Sequence, residues 1–419
     1  MKAGFKQSEV GIIPEDWEVC PVGRKGEVVT GKALAVNGPG RQRPYLRTKN
    51  VFDGRIAIDD VLTMPMTDEQ FSHFRVRNGD VLLNEGQSLE LVGRCAMYQE
   101  EYPEPCAIQN QLIRFRARAG VSGTFASYLF RHCQQTGVFA RIALQTTSIA
   151  HLGGSRFERL LLAWPKSEAE QRSIAEALSD VDALLGALDR LIAKKRDLKQ
   201  AAMQQLLTGQ KRLAGFRGEW EMKRLGDVVE ADPENLGGET KPDYAFRYIS
   251  LEDVDRGTLR GFTDQVFATA PSRARRKLRP GDVLVSTVRP NLKSHLSFQR
   301  DEPNWVCSTG FCVLRCRDGV TNAGYVFQHL FAFGVNQQIE ALLTGSNYPA
   351  VNSRDVRALE IPYPAFLEQT AIAQVLSEMD AELTALEQRR DKTRALKQGM
   401  MQELLTGRTR LVAPEAAHA

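Results

Sequence analysis

Two clusters of basic side chains have the composition of a contact with a polyanion. In the second half of the chain, five of the seven residues from 273 to 279 are Lys or Arg, and four more lie between 41 and 49. Such side chains neutralise phosphates, the main source of affinity for nucleic acids. A solvated surface is the other explanation, and the residues alone leave both open. The clusters consist of Arg41, Arg43, Arg47 and Lys49, and of Arg273, Arg275, Arg276, Lys277 and Arg279.

Two loops that follow similar Gly-Asp-Val-Leu segments, at 79–82 and 281–284, are rich in side chains that read base edges. In such readout Arg pairs with guanine, Asn or Gln with adenine, and Glu with cytosine. The loops differ although the preceding segments agree, as expected for readers of two sequences, but ordinary divergent surface loops would look the same. The candidates are Asn84, Glu85, Gln87 and Ser88, and Arg289, Asn291 and Lys293, with Thr146, Thr147 and Ser148 and Ser346, Asn347 and Tyr348 further along.

Motifs of an enzyme are incomplete or missing from the sequence. The segment from Gly26 to Ala33 matches a phosphate-binding loop except at its last position, where alanine replaces the hydroxyl that would hold Mg²⁺. The chain has no Asn-Pro-Pro-aromatic tetrapeptide, and its six histidines are scattered. We therefore expect no catalytic residue and no metal site, while a nucleotide-using enzyme that depends on Lys32 remains a rival hypothesis.

Composition favours a soluble chain of several domains. The 419 residues are 42% hydrophobic with a net charge of +4, and about 150 residues per domain suggests roughly three units. No apolar run approaches the roughly 20 residues that a membrane helix needs, and we expect no signal peptide, no membrane contact and a cytoplasmic location. The seven cysteines are an odd set without a CxxC pair. Buried thiols are therefore expected, at Cys312 and Cys316 among others, rather than disulfides or zinc.

A long internal repeat dominates the chain. Residues 170–213 and 368–411 align without a gap at an offset of 198, with 24 identities in 44 positions. Both copies lack proline, and their apolar residues recur at spacings of three and four, which predicts two long helices with a coiled-coil seam. Gly209 and Gly407 are expected to end them. The predicted seam residues are Ile174, Leu178, Val181, Leu185, Leu188 and Ile192 in the first copy, and Ile372, Leu376, Met379, Leu383 and Leu386 in the second.

The segments before the two helices are also related, though weakly. Trp17 matches Trp220, and the Gly-Asp-Val-Leu segments match at nearly the same offset. Short alternating runs and helix-like stretches favour mixed α/β domains. The predicted fold class is α+β, with two mixed domains separated by two long helices in a pseudo-twofold repeat. The predicted boundaries are 1–167 and 214–366 for the domains, 168–213 and 367–412 for the helical regions, and 413–419 for the tail.

These features resemble one known family, the specificity subunits of type I restriction-modification systems. The resemblance rests on the Ile-Pro-Glu-Asp-Trp-Glu-Val entry at 13–19, the Gly-Asp-Val-Leu segments and, above all, the duplicated helix that ends in Leu-Leu-Thr-Gly. It covers essentially the whole chain except the last few residues. The helix is the specific element, whereas Trp17 and the Gly-Asp-Val-Leu segments would be weak alone.

The resemblance implies a non-catalytic DNA-recognition subunit. Each domain would be a target-recognition domain that reads half of a bipartite, gapped site in double-stranded DNA. The helices would form an antiparallel coiled coil that sets the gap and docks two adenine methyltransferase subunits, to which motor-nuclease restriction subunits are added. Those partners would bring S-adenosylmethionine, ATP and Mg²⁺, and this chain would bind no cofactor. In this light phosphate contact is the favoured role of both basic clusters.

A different hypothesis is a coiled-coil adaptor whose two domains bind proteins or glycans. The adaptor hypothesis predicts no salt-dependent affinity for DNA. DNA binding through phosphate contacts, in contrast, should weaken steeply as the salt concentration rises.

Overall fold

The computed structural model describes residues 4–33, 35, 37–146, 148–343 and 349–411. The chain divides into two compact units. Unit 1 comprises Met1–Ala187 and Arg389–Ala419, and unit 2 comprises Leu188–Gln388. Each unit therefore contains a mixed domain together with part of each of the two long helices.

Unit 1 contains sixteen strands and five short helices among its described residues, followed by the first long helix. The strands are Phe5–Ser8 (β1), Gly11–Pro14 (β2), Trp17–Pro21 (β3), Gly26–Thr30 (β4), Arg41–Leu46 (β5), Val51–Phe52 (β6), Arg55–Ile56 (β7), Leu62–Met66 (β8), Val81–Asn84 (β9), Gly86–Gln87 (β10), Cys95–Met97 (β11), Ala107–Ile108 (β12), Leu112–Ala117 (β13), Leu144–Gln145 (β14), Ala150–His151 (β15) and Leu161–Pro165 (β16). The helices are Val22–Lys25 (α1), Asp68–Phe74 (α2), Gly123–Gln135 (α3), Val138–Ile142 (α4), Gly154–Arg159 (α5) and the long helix Glu168–Leu206 (α6), which ends in unit 2.

Unit 2 contains twelve strands and four short helices among its described residues, followed by the second long helix. The strands are Glu221–Arg224 (β17), Val229–Ala231 (β18), Ala245–Ile249 (β19), Val254–Asp255 (β20), Thr258–Leu259 (β21), Thr263–Val266 (β22), Ala274–Leu278 (β23), Val283–Ser286 (β24), Leu296–Ser297 (β25), Trp305–Ser308 (β26), Phe311–Cys316 (β27) and Glu360–Tyr363 (β28). The helices are Leu225–Val228 (α7), Ala323–His329 (α8), Phe333–Leu342 (α9), Ser353–Ala358 (α10) and the long helix Phe366–Leu404 (α11), which ends in unit 1.

A four-stranded antiparallel sheet lies at the centre of each unit. Its strand order is β11-β9-β13-β4 in unit 1 and β18-β27-β24-β25 in unit 2. The central strands β9 and β24 arise from the Gly-Asp-Val-Leu segments, and every residue in them is buried. This burial fits their continuous apolar run, which lacks the alternation of a strand with one solvated face.

The Gly-Asp turn in front of each central strand has a structural reason. Gly79 and Gly281 have φ angles of +85° and +88°, which glycine adopts without steric cost. The buried carboxylates of Asp80 and Asp282 then accept hydrogen bonds from Arg116 and Arg315, respectively, at 2.6–2.9 Å. Glycine and aspartate in these segments therefore position the strand rather than a ligand.

The repeated segments form long helices, as the sequence predicts. Helices α6 and α11 are 39 residues each, and Gly209 and Gly407 follow them with φ angles of +73° and +70°. In unit 1 the Lys397 ammonium contacts the Asp182 carboxylate at 2.5 Å, and Arg410 reaches Glu170. Because the residue number rises in one helical region as it falls in the other, the two run antiparallel within this unit.

The same direction holds within unit 2. Lys195 contacts Glu382 at 2.7 Å, and Lys199 pairs with Asp380. Six predicted seam residues are buried and the others are half-buried. In unit 1 the first long helix also packs against the mixed domain, since Ile174 and Leu178 share one hydrophobic core with Phe125. The buried seam residues are Ile174, Leu178, Leu188, Ile192, Ile372 and Leu376, and the half-buried ones are Val181, Leu185, Met379, Leu383 and Leu386.

The structure also shows how far the cysteines that were expected to be buried are exposed. Cys312 is fully buried, as predicted, and Cys316 is half-buried.

Residues Gly26–Thr30 are strand β4, and none of the described residues from Gly31 to Gly40 is helical. A phosphate-binding loop leads into a helix whose N-terminus faces the phosphates, so this segment lacks the required context. Within the described ranges, no helix is both long and apolar enough to cross a bilayer.

Candidate nucleic-acid interface

Three chain segments of unit 1 meet at the end of β9 and form a backbone frame. The Glu85 amide donates a hydrogen bond to the Gln111 carbonyl at 2.8 Å, and the Leu152 amide donates to the Glu85 carbonyl at 2.8 Å. Strands β10 and β15 continue the frame by pairing Gly86 with His151. Backbone groups make all these contacts, so the frame tolerates a change of side chain.

Unit 2 contains a frame with the same contacts at the end of β24. The Thr287 amide donates to the Gly310 carbonyl at 2.8 Å, the Val351 amide donates to the Thr287 carbonyl at 2.9 Å, and Val288 bridges Ala350. The correspondence between the units is therefore Glu85 with Thr287, Gln111 with Gly310, and His151 with Ala350.

Polar side chains crowd the frame of unit 1. The His151 Nδ1 atom lies 3.1 Å from the Glu85 Oε2 atom, and Gln111 is exposed with a φ angle of +67°. A Cβ atom built on Gly86 would lie 3.3 Å from His151 Cε1 and 3.6 Å from Gln111 Cδ, so these groups surround the glycine. Sequence reasoning named Glu85 but gave His151 no role, because the proximity of the two residues depends on the fold.

The frame of unit 2 carries a different surface. Arg289 is exposed, has a φ angle of +48° and donates its amide to the Pro349 carbonyl at 2.8 Å. The buried ring of His295 accepts a hydrogen bond from the Ser286 amide at 3.1 Å. Burial lowers the pKa of His295 to about 4, so the ring is neutral near pH 7 and can accept this bond. This bond therefore joins the end of β24 to the residue before β25, on either side of the loop that contains Arg289.

The other predicted loop residues differ in exposure. Asn84 is completely buried and donates its side-chain amide to the Val51 carbonyl at 3.2 Å, so it is part of the core and offers no atom to a base. The exposed candidates are Ser88, Thr146, Ser148 and Asn291, and the half-buried ones are Gln87 and Lys293. The predictions for Thr147, Ser346, Asn347 and Tyr348 lie outside the described residues.

The basic cluster at 273–279 is partly occupied by internal carboxylates. Arg276 pairs with Asp232, and burial lowers its pKa. Arg279 pairs with Glu234, and Lys277 lies 3.5 Å from the same carboxylate. Arg273 is exposed, whereas Arg275 stacks over Phe267 with its guanidinium carbon 4.9 Å from the ring centroid. Of the five, Arg273 and Arg279 are the side chains most available to a phosphate.

The basic cluster at 41–49 divides in the same way. Arg43 contacts Asp68 at 2.9 Å, and Arg47 pairs with Asp60. Arg41 and Lys49 are exposed. Within the described residues, Arg41 and Lys49 are therefore the stronger candidates for phosphate contact.

Each unit also contains an ion-pair clamp that the sequence did not reveal. In unit 1, Arg410 binds both oxygens of Glu170 at 2.5 and 2.9 Å, while the Trp17 indole nitrogen lies 3.4 Å from the same carboxylate. In unit 2, Arg212 pairs with Glu368, which also accepts from the Trp220 indole at 3.2 Å. The signal was present, because both the Glu and the Arg are among the identities of the repeat.

Comparison with known proteins agrees with this architecture. Residues 217–394 match the family model of the type I restriction modification DNA specificity domain. In Methanocaldococcus jannaschii, a protein named as the specificity subunit of type I restriction enzyme MjaX is 24% identical over 97% of both chains. The type I restriction enzyme MjaVIII specificity subunit of that organism is 22% identical, over 97% of this chain and 96% of the relative.

Solved structures share the fold. The type I restriction-modification S subunit from M. genitalium matches with a TM-score of 0.57 at 15% identity, covering 96% of this chain and 99% of that one. A chain from work on complex assembly and conformational transition of the type I R-M system matches with a TM-score of 0.56 at 18% identity, covering 95% and 99%. The mixed helix-and-strand fold is thus that of DNA-specificity subunits. In sequence and in fold, the chain is thus similar to the specificity subunits of type I restriction-modification systems.

Proposed function

We propose that this chain is a type I specificity subunit that reads a bipartite, gapped target in double-stranded DNA, one half-site with each unit. The observation that carries the proposal is the repeated backbone frame, which presents Glu85, His151 and Gln111 in unit 1 and the exposed Arg289 in unit 2. One scaffold with two sets of side chains suits the reading of two different sequences. Exposed cations at Arg41, Lys49, Arg273 and Arg279 would fix the register through phosphates.

We further propose that the long helices dock two methyltransferase subunits. Leu198 on α6 and Leu396 on α11 occupy equivalent positions of the repeat and are 48% and 61% exposed. Large apolar side chains that remain exposed on a helix are candidates for a partner interface. Two equivalent positions suit two copies of one partner.

In this proposal the chain performs recognition and its partners perform the chemistry. Adenine methylation requires the base to leave the duplex and enter a methyltransferase pocket. S-adenosylmethionine, ATP and Mg²⁺ would be bound by the methyltransferase and motor-nuclease subunits.

The decisive experiment is an adenine-methylation map of host DNA with this chain present and deleted, its partner subunits held constant. Disappearance of one two-part, gapped adenine motif on deletion is the expected result. If the two maps are identical, salt-dependent DNA binding by the purified complex is measured next. Affinity that does not change with salt would contradict the proposal and favour an adaptor that binds proteins or glycans.

A further inference from the structure

We propose that base preference is set at the frame positions, and that in unit 1 the Glu85 carboxylate, held by His151, reads a base that presents an exocyclic amino group. This inference rests on the proposed function and adds the reading residues and the class of base. His151 is a positioning residue in this scheme, and Gln111 is a second reading residue.

Backbone hydrogen bonds hold the frame segments in place, whereas the side chains on these segments differ between the two units. In both units the backbone hydrogen bonds join the same three segments, yet the side chains change from Glu to Thr, from His to Ala and from Gln to Gly. In unit 2, Thr287 is only 7% exposed and its hydroxyl donates to the Gly310 carbonyl at 2.8 Å, so the exposed side chain there is that of Arg289. The same backbone contacts therefore present an acidic side chain in unit 1 and a basic one in unit 2.

The pair in unit 1 has the geometry of an oriented acceptor. The Glu85 and His151 side chains are 16% and 36% exposed and lie 3.1 Å apart through Oε2 and Nδ1. The contact restricts the rotation of a carboxylate that would otherwise sample several rotamers. An ionised carboxylate only accepts hydrogen bonds. In the major groove it therefore suits the amino groups of cytosine and adenine and opposes the acceptors of guanine and thymine.

Two backbone features mark this surface. Gly86 has no side chain, and a Cβ atom there would lie 3.3 Å from His151 Cε1, closer than ordinary van der Waals contact. The backbone of Gln111 lies in the left-handed region at a φ angle of +67°. Non-glycine residues rarely adopt this conformation, and such strain is concentrated at functional sites.

Unit 2 supplies the matched control at an equivalent frame position. Arg289 corresponds to Gln87, because Gln87 pairs with Ala150 in unit 1 and the Arg289 amide bonds to Pro349 in unit 2. Arg289 carries only donors, which suit guanine. A change at Arg289 should therefore alter the other half-site and leave the half-site of Glu85 unchanged.

The test maps adenine methylation in cells that express the full subunit with its methyltransferase partner. Glu85→Gln and His151→Leu should each relax base preference at one position of one half-site, by about tenfold or more, with the gap and the other half-site unchanged. His151→Asn should retain the preference, because its amide nitrogen can replace Nδ1. Arg289→Gln should affect the opposite half-site.

The outcomes separate this inference from the proposed function. If the unmodified subunit directs no gapped motif, the proposed function fails. If it does, and Glu85→Gln weakens methylation equally at every base without changing preference, the inference is overturned and the pair is merely structural. If Glu85→Gln abolishes all methylation, Gln111→Ala decides, because the Gln111 side chain is exposed. A relaxed preference then supports the inference, and an unchanged one refutes it.

Discussion

Removing the guanidinium of Arg410 should destabilise unit 1 strongly. Arg410 joins the segment after α11 to Glu170 at the start of α6, at 2.5 and 2.9 Å, and to Asp16 at 2.9 and 2.7 Å. The Glu170 side chain is 2% exposed, whereas that of Asp16 is 47% exposed. The substitution Arg410→Met keeps most of the apolar stem and leaves the buried carboxylate without its cation.

The magnitude follows from the burial of Glu170. Loss of one partner of a buried ion pair costs about 3–5 kcal/mol, and we expect about 2–3 kcal/mol here because Arg410 is 18% exposed and water reaches the pair. For a unit of this size, 1 kcal/mol shifts Tm by roughly 2–4 °C. The expected fall in the Tm of unit 1 is therefore about 4–12 °C.

The contact with Asp16 adds a dependence on pH. The hydrogen bond from Arg410 is the main cause that holds the pKa of Asp16 below its usual 3.8. A lowered carboxyl pKa contributes stability that is present above pH 3.8 and is lost as pH falls through the folded-state pKa. The Arg410→Met variant should lose this contribution, so the difference between the two proteins should narrow in acid.

The assay is thermal unfolding of the purified full chain by calorimetry, at pH 7 and at pH 3. The matched control is Arg408→Met, whose side chain is 58% exposed and only 3.9 Å from Glu403. The double variant Arg410→Met/Glu170→Gln should recover much of the loss, because no buried charge is left unpaired. Equal Tm values for Arg410→Met and Arg408→Met would refute the reasoning.

Four further outcomes are expected. Substitution of Leu198 and Leu396 by Asp should abolish co-purification of the methyltransferase without changing Tm, since both side chains are exposed; retained co-purification would contradict the docking proposal. Burial lowers the pKa of His329 from 6.5 to about 3, so the unfolded chain binds the proton more tightly than the folded chain does. The unfolding free energy should therefore rise with pH between about pH 3 and 6.5. In denaturant titrations, His329→Leu should reduce this rise of the unfolding free energy with pH. Arg273→Ala should reduce the slope of log affinity against log salt for DNA by about 0.9, whereas Arg276→Ala should mainly lower Tm because Asp232 loses its partner. Removing one heptad from both long helices should change the gap in the methylation motif by about three base pairs and leave the half-sites intact; altered half-sites with an unchanged gap would count against the spacer.

The long helices and central strands could be predicted because their signals are local. A repeat without a gap identifies both helices, and the period of residues such as Leu178 and Ile372 gives the buried face. The Gly-Asp turn followed by an apolar run similarly indicates strands β9 and β24. Each signal lies in the order of residues along the chain and depends on no contact between distant side chains.

The contacts that define the candidate interface could not be predicted, because they join segments far apart in the chain. Glu85 meets His151 across 66 residues, and the related segment of unit 2 gives no hint, since alanine occupies the position of the histidine. The sequence likewise does not show that Asp232 pairs with Arg276 and so neutralises part of the basic cluster at 273–279. Asn84 was expected in a loop, yet it is the last residue of the buried strand β9.

If the frames read DNA as proposed, stability and specificity depend on different kinds of residue in this chain. The clamps use side chains that are the same in both copies, Arg410 with Glu170 and Arg212 with Glu368, because a buried carboxylate tolerates no loss of its cation. The frames are held by backbone hydrogen bonds, so their side chains can change at little cost to folding. Substitutions at a clamp should therefore lower Tm without altering base preference, and substitutions at a frame position such as Glu85 should do the reverse. A new target could then arise through changes on the frames alone, with the scaffold that docks the partners unaltered.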